Sequence, residues 1–128
     1  MAETAKGLLD GRVILITGAS RGIGRAAAIA CAQQGAELII TGRTTGALEE
    51  VDDEIRGFGG AATIVELDQT DYAAIPRLAY AISSKWGRLD GFVANASQLG
   101  QMAPMAHIEP EIWERTMSVN LTSVWFQA

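Results

Sequence analysis

The chain holds a single cysteine, Cys31, and a single histidine, His107, in 128 residues. One thiol excludes an internal disulfide framework and a cysteine-rich metal site. One imidazole excludes a histidine cluster and leaves little for histidine-based catalysis. Aromatic residues make up 6% of the chain, too few for a platform on which nucleic-acid bases stack. Positive charge is short as well. Ten lysines and arginines stand against 15 aspartates and glutamates, for a net charge of -5. General affinity for nucleic acid or an anionic membrane is therefore not expected. Long apolar runs are missing, and the longest, Ala26 to Ala32, falls far short of a membrane span. The opening Met1–Lys6 is polar and mixed in charge, unlike a secretion leader. These absences predict a reducing, cytoplasmic setting. Any anionic ligand must be held by a local device.

What the chain does have is 48% apolar and 20% charged residues, the balance of one globular domain over residues 1–128. Apolar runs and amphipathic stretches alternate along it. Val13–Ile16 is a continuous apolar run, as expected of a strand buried on both faces. A glycine-rich turn leads into a helix over Ile23–Gln34, closed by Gly35. Leu38–Ile40 reads as the second strand. Ala47–Arg56 reads as a helix with Leu48, Val51 and Ile55 on one stripe. Ala62–Leu67 is the third strand. A helix follows with Ile75, Leu78, Ile82 and Trp86 on one face, and Pro76 requires it to begin near Ile75 or to kink. Leu89–Ala94 is the fourth strand. The last helix opens at Pro110 and runs toward Ala128. This βαβαβαβα order predicts an α/β fold with a doubly wound parallel sheet of strand order 3-2-1-4. Ligands of such sheets bind at the carboxyl ends of the strands.

The first strand ends in Thr17-Gly18-Ala19-Ser20-Arg21-Gly22-Ile23-Gly24, with the first helix opening inside the loop. Gly18 permits the sharp turn, Gly22 a close approach of backbone to a pyrophosphate, and Gly24 close helix–sheet packing. The free N–H groups of the helix start then suit phosphate oxygens. The spacing, Thr-Gly-x-x-x-Gly-x-Gly, resembles the glycine motif of the short-chain dehydrogenase/reductases. Three further segments match in order. Asp68 follows the third strand, where the family carries an acidic residue near the adenine ring. Asn95-Ala96-Ser97 is similar to the family's Asn-Ala-Gly, with Ser97 in place of glycine. Val119-Asn120-Leu121 resembles the segment bearing the family's catalytic asparagine.

The resemblance implies a Rossmann-type domain that binds a nicotinamide dinucleotide and moves hydride to or from a carbonyl/alcohol substrate. Gly18, Ser20, Arg21, Gly22, Ile23 and Gly24 would cradle the pyrophosphate end. Asp68, Asn95 and Ala96 would serve the adenosine half, and Asn120 would be the catalytic-set member. Each match also has a plainer reading. Asp68 suits a turn or a helix cap, Asn95 a structural amide, and Asn120 an internal helix–sheet hydrogen bond. By its spacing Asn120 shares a core-facing stripe with Ile112 and Thr116. At the end of the second strand Gly42 stands where relatives specific for NAD carry an aspartate. Arg43 follows, with Thr44 and Thr45 as further donors. No carboxylate repels a 2′-phosphate and a guanidinium can fork onto it, which favours NADP over NAD. The plainer reading of Arg43 is a solvated loop cation.

The family's tyrosine and the lysine four residues beyond it have no match. Tyr72 is followed at that spacing by Pro76, and Tyr80 by Ser84. On the resemblance, the chain is the N-terminal part of a longer, homo-oligomeric reductase, truncated before the fifth strand and inactive as it stands. The fourth strand would then lie at a sheet edge with Leu89, Phe92 and Val93 poorly covered. Trp113, Trp125 and Phe126 would lack some of their packing partners. Cys31 is expected to be a small buried hydrophobe, His107 a loop residue, and Met102 and Met105 either pocket lining or gap fillers. The competing reading is a non-catalytic dinucleotide-binding or interaction module.

Overall fold

The computed structural model describes residues 7–128, so the Met1–Lys6 segment lies outside the described residues. β-branched and leucine residues make Val13–Thr17 a strand (β1) that is buried along its whole length. Strand β2 is Glu37–Gly42, also buried after its first residue. Burial of this kind on both faces requires layers above and below. Helices α1 (Gly22–Gln33) and α2 (Thr45–Arg56) form one layer. Their Ala28, Ala32, Leu48, Val51 and Ile55 pack against Ile14, Ile16, Leu38 and Ile40. Helix α3 (Ala74–Trp86) forms the other, with Leu78 and Ile82 on Val13, Leu15 and Ile39. Alternation along β1 and β2 sends neighbouring side chains to opposite layers.

Strands β3 (Ala62–Glu66) and β4 (Gly91–Val93) complete a four-stranded sheet of order β3-β2-β1-β4. All three pairings are parallel, with Leu15 beside both Ile39 and Phe92. The predicted α/β class and strand order are thus observed. Helix α3 starts early enough that Pro76 falls in its first turn, where no intrahelical N–H bond is lost. Cys31 is half-buried against the α1/α2 layer, and that burial pushes its thiol pKa up.

Two expectations need correction. Strand β4 is shorter than Leu89–Ala94. The Asn95 N–H turns back to the Val93 carbonyl at 3.0 Å, which ends the strand, and Leu89 stands outside it, 41% exposed. The last helix is not continuous α-helix. It runs as α4 (Pro110–Met117), a π turn over Ser118–Thr122, and α5 (Ser123–Gln127). The Ser123 hydroxyl donates to the Val119 carbonyl at 2.5 Å across this turn. The wider turn shifts the helical phase, so Val119 and Ser123 are buried and Asn120 is exposed, off the core-facing stripe. Phe126 stacks on Tyr72 with ring centroids 4.6 Å apart but stays 45% exposed. Trp113 and Trp125 do remain exposed. Among the described residues no helix is long and apolar enough to cross a membrane.

Candidate functional site

A cleft of about 490 Å³ opens beyond the carboxyl ends of the four strands. Gly18, Ser20, Arg21, Gly22 and Ile23 line it after β1, and Gly42 and Arg43 after β2. Leu67, Asp68 and Gln69 line it after β3, and Asn95, Ala96, Ser97, Gln98 and Leu99 after β4. Arg115 and Val119 add a contribution from the last helix. Nine of the eleven site residues expected from sequence therefore meet in one cleft. The two others, Gly24 and Asn120, do not line it.

The glycines divide their labour. Gly18 adopts φ +65°, and a Cβ there would come within 2.7 Å of the Ala96 Cα. Buried Gly24 faces inward, where a Cβ would overlap the Gly18 carbonyl oxygen and meet Asn95 Nδ2 at 2.5 Å. These two glycines bring the first helix and the loop after β4 onto the end of β1. Gly22 faces open space, since a Cβ would meet nothing within 4 Å. No side chain caps the start of α1 and no acidic residue lies in its first turn, so its N–H groups and positive dipole end are unspent.

Thr17 ties the end of β1 to the edge strand β4 and the loop after it at the cleft floor, a role that reading only the glycines of the motif misses. Its hydroxyl, in a residue 2% exposed, accepts the N–H groups of Asn95 at 3.1 Å and Ala96 at 3.0 Å. It also donates to the Val93 carbonyl at 3.4 Å. The Asn95 amide donates to the carbonyls of Thr17 at 3.1 Å and Gly18 at 3.0 Å, as the structural-amide reading has it. Its remaining oxygen is free of described partners.

Asp68 is engaged as the turn reading has it. Its Oδ1 accepts the Thr70 N–H at 2.9 Å and hydroxyl at 2.7 Å. The Thr70 bonds, helped by the charges of Arg115 and Arg43, hold its carboxyl below the usual carboxylate range. Asp68 lines the cleft, and its second oxygen has no described partner. Arg43 is exposed and makes no described ion pair. Thr45 is not available as a donor there, because its hydroxyl bonds Glu66 at 3.2 Å.

Asn120 binds the loop after β4, not the sheet. Its Oδ1 accepts the Gln98 N–H at 2.7 Å and its Nδ2 donates to the Gln98 carbonyl at 2.8 Å. Arg115 reaches the same residue, Nε to Gln98 Oε1 at 3.1 Å. Sequence reasoning passed over Arg115 and Gln98, since a charged helix residue and a loop glutamine carry no signal before the fold joins them. His107 lies in an exposed single turn, Met105–His107, away from the cleft. Met102 and Met105 are both 85% exposed and neither line the cleft nor fill a gap.

A family model described as short chain dehydrogenase matches residues 12–127. The oxidoreductase YciK of Escherichia coli (strain K12) is 37% identical over 121 residues, covering 92% of this chain and 48% of that protein. The sorbitol dehydrogenase of Cereibacter sphaeroides is 38% identical over 118 residues, covering 92% of this chain and 44% of that protein. Among solved structures, the YciK structure from E. coli superposes with a TM-score of 0.90 at 35% identity, covering 98% of this chain and 50% of that one. A metagenomic short-chain oxidoreductase in complex with NADP gives 0.89 at 34% identity, covering 93% and 54%. The chain spans about half the length of the curated relatives it matches. Sheet order, motif order and these matches agree, and the chain belongs to the short chain dehydrogenase family.

Proposed function

We propose that residues 1–128 form the NADP(H)-binding part of a reductase that moves hydride between the dinucleotide and a carbonyl/alcohol substrate. The observation that carries the reading is the cleft at the strand ends, with an uncapped helix start beside Gly22 and a guanidinium after β2. Relatives solved with NADP and with NADPH support it. The N–H groups over Arg21–Gly24 and the Ser20 hydroxyl hold the pyrophosphate. Arg43 forks onto the 2′-phosphate, a bond that no carboxylate at Gly42 opposes. The free oxygen of Asp68 accepts from the adenine amino group. Asn95 and Ala96 border the adenosine ribose, and Asn95 also fixes the Gly18 turn. Asn120 holds the loop at Gln98 and is the catalytic-set member of this chain. The dinucleotide supplies the hydride when bound. A proton at the carbonyl oxygen needs an acid that neither Tyr72 nor Tyr80 supplies by motif, since neither is followed by lysine at the fourth residue. We read the whole protein as a cytoplasmic homo-oligomer, with the exposed Trp113, Leu121 and Trp125 on its contact helix.

Fluorescence titration with NADPH and NADH tests the assignment. NADPH is expected to bind at least about tenfold tighter, near 1.4 kcal/mol, and Arg43→Ala to remove most of that preference. Equal affinity in the wild type overturns NADP, and binding of neither overturns the dinucleotide reading. The chain alone is expected to oxidise no NADPH with carbonyl substrates. Dinucleotide binding by a stable chain without turnover is also what a non-catalytic module would show. A whole protein with carbonyl reductase activity excludes that module.

A further inference from the structure

The chain has eight arginines. Five lie within 4 Å of a carboxylate: Arg12 and Arg88 with Asp90, Arg25 with Glu54, Arg56 with Asp52, and Arg77 with Asp71. The other three, Arg21, Arg43 and Arg115, have no such partner among the described residues, and all three line the cleft. In a chain of net charge -5, with carboxylates in excess, this sorting marks the cleft as the place where arginines are left without a carboxylate partner. Two of the three already have a use in the dinucleotide reading, Arg21 at the pyrophosphate and Arg43 at the 2′-phosphate. Arg115 has none.

Arg115 is half-buried on α4, and only its Nε is bonded, to Gln98 at 3.1 Å. That bond fixes the plane of the guanidinium. The terminal nitrogens donate to no described residue, although a partly desolvated guanidinium needs acceptors for its five N–H groups. Beyond it in the same helical stretch, Ser123 and Gln127 bond Gln69, the neighbour of Asp68, and the charge of Arg115 helps hold the Asp68 carboxyl below its ordinary range. Asp68 and Arg115 thus offer a carboxylate acceptor and a guanidinium donor to one cleft. An adenine ring offers the matching pair, an amino donor and ring-nitrogen acceptors. The geometry points to Arg115 as a further binding residue, whose terminal N–H groups donate to the adenine ring of the dinucleotide. The inference rests on the dinucleotide reading above and adds a contact to the part that NADPH and NADH share.

The test uses the full chain, titrated with NADPH, NADH and 5′-AMP. Arg115→Met keeps the apolar stem and removes the fork. It is expected to weaken all three ligands by the same factor, about tenfold, and to leave the ratio of NADPH to NADH affinity unchanged. Arg43→Ala, by contrast, moves that ratio. Arg115→Lys keeps the charge without the planar fork and is expected to weaken all three about threefold, so it decides the matter should the methionine variant not fold. A folded variant that binds 5′-AMP as tightly as wild type overturns the inference, as does a loss confined to NADPH. Wild type that binds no dinucleotide overturns the underlying reading and this contact with it. Binding by wild type with no effect of either variant overturns the Arg115 contact alone.

Discussion

The two walls of the cleft are built by different forces. The wall made by β1, β2 and α1 rests on apolar packing, with Ile16, Ile40 and Ala28 fully buried and backbone pressed on backbone at Gly18 and Gly24. The wall made by the loop after β4 and the last helix has little of this. Helix α4 buries no residue. It is held by Asn120 and Arg115 on Gln98, by Ser123 and Gln127 on Gln69, and by the Tyr72–Phe126 stack. Packing is cooperative and scales with buried area, whereas an intramolecular hydrogen bond contributes on the order of 1 kcal/mol net. The first wall should therefore unfold only with the domain, and the second should open locally.

The largest expected effects lie in the first wall. Ile40→Ala, at a fully buried position, should cost about 4 kcal/mol by urea denaturation, from lost transfer energy and the cavity left behind. A cost under about 1 kcal/mol would mean this wall is not held by packing. Gly24→Ala should cost about 3 kcal/mol, since the new methyl meets a carbonyl oxygen that cannot move without the β1 turn. The same variant should lose dinucleotide binding even under conditions where it stays folded. Thr17→Val sharpens the comparison because Thr17 joins the walls. It keeps the volume but strips the acceptor from two N–H groups, and should cost about 2 kcal/mol in thermal or urea unfolding.

Legibility in the sequence follows the same divide. The first wall was readable because its determinants are local in the chain. A run such as Val13–Ile16 admits only a doubly covered strand, and a glycine at position 24 signals a close contact before the contacting atom is known. The second wall was misread where its geometry depends on partners far away. Counting helical turns puts Asn120 beside Ile112 and Thr116, but Asn120 lies in the π turn Ser118–Thr122 and reaches out to Gln98. No periodicity holds that information. Arg115 was invisible for a related reason: its neighbour in space is 17 residues away, in a loop without a pattern.

Acid should act on the sheet from its opposite end. The Val13 N–H donates to Asp90 at 2.8 Å, and this bond, with Arg88 and Arg12 nearby, holds the Asp90 carboxyl below its ordinary range. A carboxyl with a lowered folded-state pKa adds stability above its unfolded value. That stability goes as pH falls through the folded one. Asp90→Asn should thus lower the melting temperature at pH 7, by less than Thr17→Val does. It should also flatten the decline in stability toward acid pH. An unchanged acid limb would show that the Asp90 bonds contribute nothing to folding.

The smallest expected effect is the most direct test of the second wall. Asn120 is exposed, and its amide makes both of its bonds to the Gln98 backbone. Asn120→Ala removes them without opening a cavity, so global stability should fall by about 1 kcal/mol or less. Gln98, however, loses the two bonds that hold its backbone to the helix, and of its hydrogen bonds only the Arg115 side-chain bond remains. Amide exchange at Gln98 should accelerate, while exchange at Ile39 and Ile40 should keep to the global unfolding rate. Acceleration at both places would mean that the walls form one cooperative unit. No acceleration at Gln98 would mean that Arg115 alone holds the loop, and the double variant with Arg115→Met should then release it.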